Sequence, residues 1–156
     1  MTSNSDLSEF QLYLQAGSEA TSPSELSCLV SSCYTRVRLR VAENPRTPIS
    51  SIQVLANDES ADVRLAVAAN STTPIELMRR LAKDHDPTVR YGIAEDANVA
   101  QEILDQLTND ENPYVCARAA KTIRSITLTD QVLQCHPRFL PELQPRQQDS
   151  KEESVS

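Results

Sequence analysis

Tryptophan is absent, and aromatic residues make up only 4% of the 156-residue chain. A core built of large rings is therefore excluded, and Leu, Ile, Val and Ala must fill it, which suits closely packed helices. Glycine is nearly absent as well, with two residues against nine prolines. That balance argues against glycine-dependent hairpins and for short helices separated by proline-marked turns. No run approaches the roughly 20 apolar residues of a membrane span, and Met1 to Asp6 has neither the basic onset nor the apolar stretch of a secretory signal. The expectation is a cytoplasmic protein in which the four cysteines are free thiols rather than a disulfide framework.

A concentration of positive charge is also missing. The formal charge is -7, with thirteen acids and eleven bases over residues 37–126, four acids and one base before them, and five acids and three bases after them. A protein that grips a duplex needs an excess of Lys and Arg to neutralise phosphates, so nucleic acid is the lesser partner class. There is no P-loop, G-x-S-x-G or H-E-x-x-H, and two glycines cannot build a phosphate cradle.

What the chain does contain is a repeat. Val37-Arg-Leu-Arg-Val-Ala42 recurs as Val63-Arg-Leu-Ala-Val-Ala68, as Val89-Arg-Tyr-Gly-Ile-Ala94 and, more weakly, as Val115-Cys-Ala-Arg-Ala-Ala120, each 26 residues after the last. Thr47-Pro48-Ile49 matches Thr73-Pro74-Ile75, and Leu55-Ala56-Asn57-Asp58 matches Leu81-Ala82-Lys83-Asp84. Thr followed by Pro reads as a helix start, with Thr capping and Pro at the first helical position. Helices are expected over Pro48 to Asn57 and Pro74 to Lys83, each with one apolar stripe (Ile49, Ile52, Leu55; Ile75, Met78, Leu81). A second segment carries Val63 and Val67 one turn apart, and Asn44, Asn70 and Asp96 end the equivalent segments. Isolated helices this short are marginal in water, so stacking between neighbouring units must hold them.

The pattern Leu-Ala-x-Asp followed by Val-Arg-x-x-Val-Ala-x-Asn-x-x-Thr-Pro, over about Pro23 to Ile126, resembles the variant leucine-rich repeat (LRV) family, similar in appearance to HEAT-like α-solenoids. The resemblance implies an all-α, right-handed α-solenoid of 26-residue repeats in which short α and 3-10 helices alternate. Some members carry an iron–sulfur cluster on cysteines ahead of the repeats. Here only Cys28 and Cys33 lie near the start, whereas a four-iron cluster generally takes four thiolates. No cofactor is expected, and a cysteine-based redox or iron–sulfur protein is the least favoured reading.

Three domains of the chain are expected: residues 1–21 as an N-terminal segment with a capping helix, 22–135 as the repeat domain, and 136–156 as a disordered tail. Val115 to Arg124 closes the array, with a further helix over Ser125 to Leu133. Arg38, Arg64 and Arg90 form a ladder that reads either as an anion track or as partners of Asp58, Asp84 and Asp110, which recur with the same period; pairing is preferred. The three aspartates themselves read as caps and turns, because equivalent positions of a repeat form rows and not the convergent pocket that catalysis needs. His85 and the Cys135-His136 pair lack a suitably spaced third ligand. Gly92, where Arg40 and Ala66 stand in other units, marks close backbone approach or drift, and Tyr91 is an exposed anchor or a half-buried packing residue. The resulting reading is a non-catalytic protein- or peptide-binding module whose partner contacts are sought at Arg40, Arg64, Arg79, Arg90, Tyr91 and Arg118, with a nucleic-acid-binding solenoid as the alternative.

Overall fold

The computed structural model describes residues 8–135, and these are all helical, with no strand among them. Five helices form one row: α1 (Glu9–Gly17), α3 (Thr35–Glu43), α5 (Ala61–Ala69), α7 (Pro87–Glu95) and α9 (Pro113–Cys135). Between them run four short helices, α2 (Pro23–Leu29), α4 (Ile49–Leu55), α6 (Ile75–Leu81) and α8 (Gln101–Leu107). Each long helix packs against the next, and the short helices pack against their flanking long ones. None of the described helices is long and apolar enough to cross a membrane. The tail expected to be disordered, residues 136–156, lies outside the described residues, as does His136.

The helix starts follow from local chemistry. Ser8 and Ser22 head capping boxes with Gln11 and Glu25, and Pro23 and Pro87 occupy the first turn, where a missing N–H costs nothing. The Thr-Pro turn works differently from the sequence reading. Pro48 and Pro74 are the N-cap residues themselves, so the short helices begin one residue later, at Ile49 and Ile75. The threonine hydroxyls do not cap the helix that follows. Thr47 Oγ1 donates to the Val41 carbonyl and Thr73 Oγ1 to the Val67 carbonyl, both at 2.6 Å. Carbonyls in the last turn of a helix lack an intrahelical donor, and a hydroxyl six residues on supplies one.

The short helices are α-helical, not the 3-10 type that the family resemblance implied. Ile52 N–H donates to Pro48 O at 3.0 Å and Ala56 N–H to Ile52 O at 2.9 Å, both four residues back. Three-residue bonds occur only at the ends, as where Asn57 N–H reaches Val54 O at an exit and Leu77 N–H reaches Pro74 O at an entry. At the other end, the two expected segments merge into the single helix α9. Thr122 stands where Asn44, Asn70 and Asp96 end the earlier long helices. Beyond it, Ser125, Thr127 and Thr129 return their hydroxyls to carbonyls four residues back, so nothing stops the helix.

Aliphatic side chains fill the core, as the shortage of aromatics required. Val37, Val63 and Val89 are fully buried at equivalent positions, as is Val41, with Ile52, Leu55, Leu81, Ile103 and Leu107 contributed by the short helices. The first helix, α1, belongs to the same row: it packs on α3 as α3 packs on α5, and Leu12 and Ala16 are buried.

Candidate functional site

Two sets of polar groups tie each long helix to its neighbours. The first is the arginine ladder. Arg38 donates to Asp58 through Nε (2.6 Å) and Nη2 (3.0 Å), Arg64 to Asp84 (2.7 and 2.9 Å), and Arg90 to Asp110 (2.8 and 3.0 Å). Each guanidinium also gives Nη1 to a turn carbonyl: Arg64 to Asp58 O at 2.8 Å, and Arg90 to Asp84 O at 2.7 Å. Asp58 and Asp84 thus each accept from one unit while their backbone carbonyls hold the arginine of the next. Paired, bidentate geometry of this kind is the strong form of the charge-assisted bond.

These contacts correct two of the expected partner residues. Arg64 and Arg90 are only 4% and 6% exposed, and their donors are consumed inside the stack. Arg40 and Arg118 are seam residues. Arg40 lies over the ring of Tyr13, 5.3 Å from its centroid, and pairs with Glu43; Arg118 crosses from α9 to Glu95 of α7 at 2.5 Å. Arg79 sits on the other row, bridging Glu76 of α6 and Glu102 of α8. Tyr91 is partly exposed on α7. The six residues therefore do not converge on one site. Nor do the aspartates, since Asp84 and Asp110 each face their own arginine, and among the described residues no three His, Cys, Asp or Glu form a metal-ligand group.

Burial alone would raise the Asp84 carboxyl, but hydrogen bonds from Arg64 and from the Asp86 N–H outweigh it and hold it below its ordinary value of 3.8. At Asp110 the hydrogen bonding from Arg90 comes first and prevails over burial, in the same direction. A carboxylate depressed on folding stabilises the fold fully above its unfolded pKa, and this is lost as pH falls through the lower folded value. Acid titration followed by circular dichroism should show stability flat down to the ordinary carboxylate range and falling below it.

The second tie is an asparagine clamp. Asn44 Nδ2 donates to Ala16 O (2.9 Å) and Ser18 O (3.2 Å), and Asn70 Nδ2 donates to Ala42 O (2.7 Å) and Asn44 O (3.1 Å). One buried amide thereby satisfies two carbonyls at the end of the preceding long helix. At α9 the Thr122 hydroxyl serves the Ala94 carbonyl at 2.7 Å. Between α5 and α7 the residue is Asp96, whose ionised side chain has no N–H to give. Its Oδ1 instead accepts from the backbone and side chain of Asn98 (2.8 and 3.0 Å).

A cleft of about 400 Å³ opens beside this break, lined by Ala68, Asn70, Ile75, Met78, Asp96 and Val99 among others. Asp96 is its only charged lining residue. A smaller cleft of about 160 Å³, sharing Ala68, Asp96 and Val99, reaches Gly92. There Leu65 crosses the helix so closely that a Cβ on Gly92 would lie 2.2 Å from its Cδ1. The close neighbour of Gly92 is thus a side chain and not the backbone that the sequence suggested. The contact is with the end of a flexible side chain, so Gly92→Ala should force Leu65 to another rotamer at a cost that the roughly 1 kcal/mol helix gain offsets. Denaturant melts of that variant should stay within about 1 kcal/mol of the parent.

Asp96 carried no functional weight in the sequence reading, which took it with Asn44 and Asn70 as a helix terminator. The visible signal was the change from amide to carboxylate at one of three matching positions. No family model matches the chain, and comparison with curated proteins and with solved structures likewise matched none.

Proposed function

We propose that this chain is a right-handed α-solenoid of 26-residue units, of the variant leucine-rich repeat kind, and that it works as a non-catalytic module binding a protein or peptide. One observation carries the reading: the seam between α5 and α7 is the place where the clamping amide is replaced by the Asp96 carboxylate, and a cleft lies there. A seam that only had to be stable would keep its clamp, as the α1/α3 and α3/α5 seams do. Apolar walls with a few polar groups, of which Asp96 alone is charged, suit recognition. Functional sites are where local rules of stability are given up.

The nucleic-acid alternative loses support from the same geometry. Three of the arginines that a phosphate track would need, Arg38, Arg64 and Arg90, spend their donors on internal carboxylates and carbonyls. The test is a pull-down with the tagged full chain from its native lysate, with and without nuclease and at low and moderate salt, read by mass spectrometry. A partner retained through nuclease and salt, and released by a bulky substitution at the cleft such as Ala69→Trp, supports the proposal. Recovery of nucleic acid, or loss of every partner on nuclease treatment, overturns it.

A further inference from the structure

The α5/α7 cleft has a defined chemical vacancy. In the two preceding seams an Asn amide nitrogen sits between two backbone carbonyls, residues 16 and 18 for Asn44 and residues 42 and 44 for Asn70. The equivalent carbonyls at the α5/α7 seam belong to Ala68 and Asn70, both lining residues of the cleft. Asp96, at the position of the clamping Asn, lines the same cleft and carries acceptors only. Three features therefore favour positive charge at one point: two carbonyls at the end of a helix, the negative end of that helix's dipole, and a carboxylate with no basic residue among the cleft's lining. The surrounding Ile75, Met78, Ala68 and Val99 offer apolar surface to an alkyl stem. Lysine and arginine combine such a stem with an N–H-rich cationic head.

We infer that the cleft receives a cationic side chain, lysine or arginine, from a bound peptide, whose N–H groups take the place of the amide that Asp96 lacks. This rests on the peptide-binding reading above and names its specificity. The charged head donates to the Ala68 and Asn70 carbonyls and pairs with Asp96, while its methylenes lie along Met78 and Val99. A peptide without a basic residue leaves Asp96 with only its bonds from Asn98, the Asn70 carbonyl with only the Thr73 N–H, and the second donor that the Asn clamp supplies at the other seams unreplaced, which is a basis for discrimination.

The inference has a test in which stability and binding move in opposite directions. Random peptides displayed on phage are selected against the full-length chain, and fluorescein-labelled copies of the selected peptides are titrated by anisotropy. Enrichment of one Lys or Arg position is expected, with affinity falling as salt rises. Asp96→Asn should restore the clamp, raise the melting temperature and weaken those peptides more than tenfold. Asp96→Ala should weaken them comparably without raising the melting temperature, since it removes the carboxylate and adds no donor. Selected peptides lacking a basic position, or binding unchanged in Asp96→Asn, would overturn the cationic guest and leave peptide binding standing. Failure to select any peptide would remove both readings.

Discussion

Asp84→Ala is expected to destabilise the protein by roughly 3–5 kcal/mol, the range for removing one member of a buried ion pair. The Asp84 side chain is 6% exposed and takes both Nε and Nη2 of Arg64, whose own side chain is equally sheltered. Without the carboxylate the guanidinium remains buried, held only by the Asp58 and Glu59 carbonyls and by His85, 3.3 Å from Nη2. The same change also frees the Asp86 N–H, which now donates to Asp84 Oδ1 at 2.9 Å. Exposed members of the ladder give the contrast. Glu59 reaches Arg38 at 3.1 Å but is 84% exposed, so Glu59→Ala should cost no more than about 1 kcal/mol. Urea unfolding of the two variants side by side measures both; equal effects would show that the ladder is a surface feature. Because contacts run mainly between adjacent layers, the Asp84→Ala loss should centre on the middle of the row, with protection from hydrogen exchange falling first around α5 to α7.

Asn70→Ala should cost roughly 1–3 kcal/mol, since the buried Ala42 carbonyl loses this donor and the Asn44 carbonyl is left with the Thr47 N–H alone. The amide satisfies Ala42 O and Asn44 O, and its Oδ1 accepts from the Thr72 N–H and hydroxyl at 2.9 and 2.7 Å. Asn70→Asp is the sharper variant, because it keeps the shape and the acceptor but removes the donor. It should destabilise, and it should recreate at the α3/α5 seam the donor vacancy now found between α5 and α7. Thermal melts of both variants provide the check, and an unchanged melt for Asn70→Asp would mean that the amide contributes little to layer stacking.

Much of the fold was legible in the chain because its determinants are local. The Val-Arg-x-x-Val-Ala motif marks long helices whose buried valines recur at equivalent positions, and the matching periods of Arg38, Arg64 and Arg90 with Asp58, Asp84 and Asp110 announced the ion pairs. The misreadings arose where a side chain has two local options. Thr47 can cap forward or donate backward, and it donates backward to Val41 O, a last-turn carbonyl whose one other donor is the Asn44 N–H at 3.2 Å. Thr122 was not seen as the residue that lets α9 continue, because whether a β-branched residue ends or extends a helix depends on the layer beneath it, here the Ala94 carbonyl.

The candidate site divides along the same line. Composition, period and the scarcity of aromatics by themselves determine an all-helical chain with an aliphatic core, since burial at helical spacing leaves no other arrangement for those residues. Which arginines face outward, and which seam is left open, only the packing of one layer on the next decides. Arg64 and Arg40 are both arginines on long helices, yet one is spent on Asp84 inside the stack and the other lies over Tyr13 in a seam. Asp96 differs from Asn70 by an amide for a carboxylate, a small change in the chain. Its consequence becomes visible only when Ala68 and Asn70 of the neighbouring layer line one cleft with it, because a missing donor matters only where packing brings acceptors together.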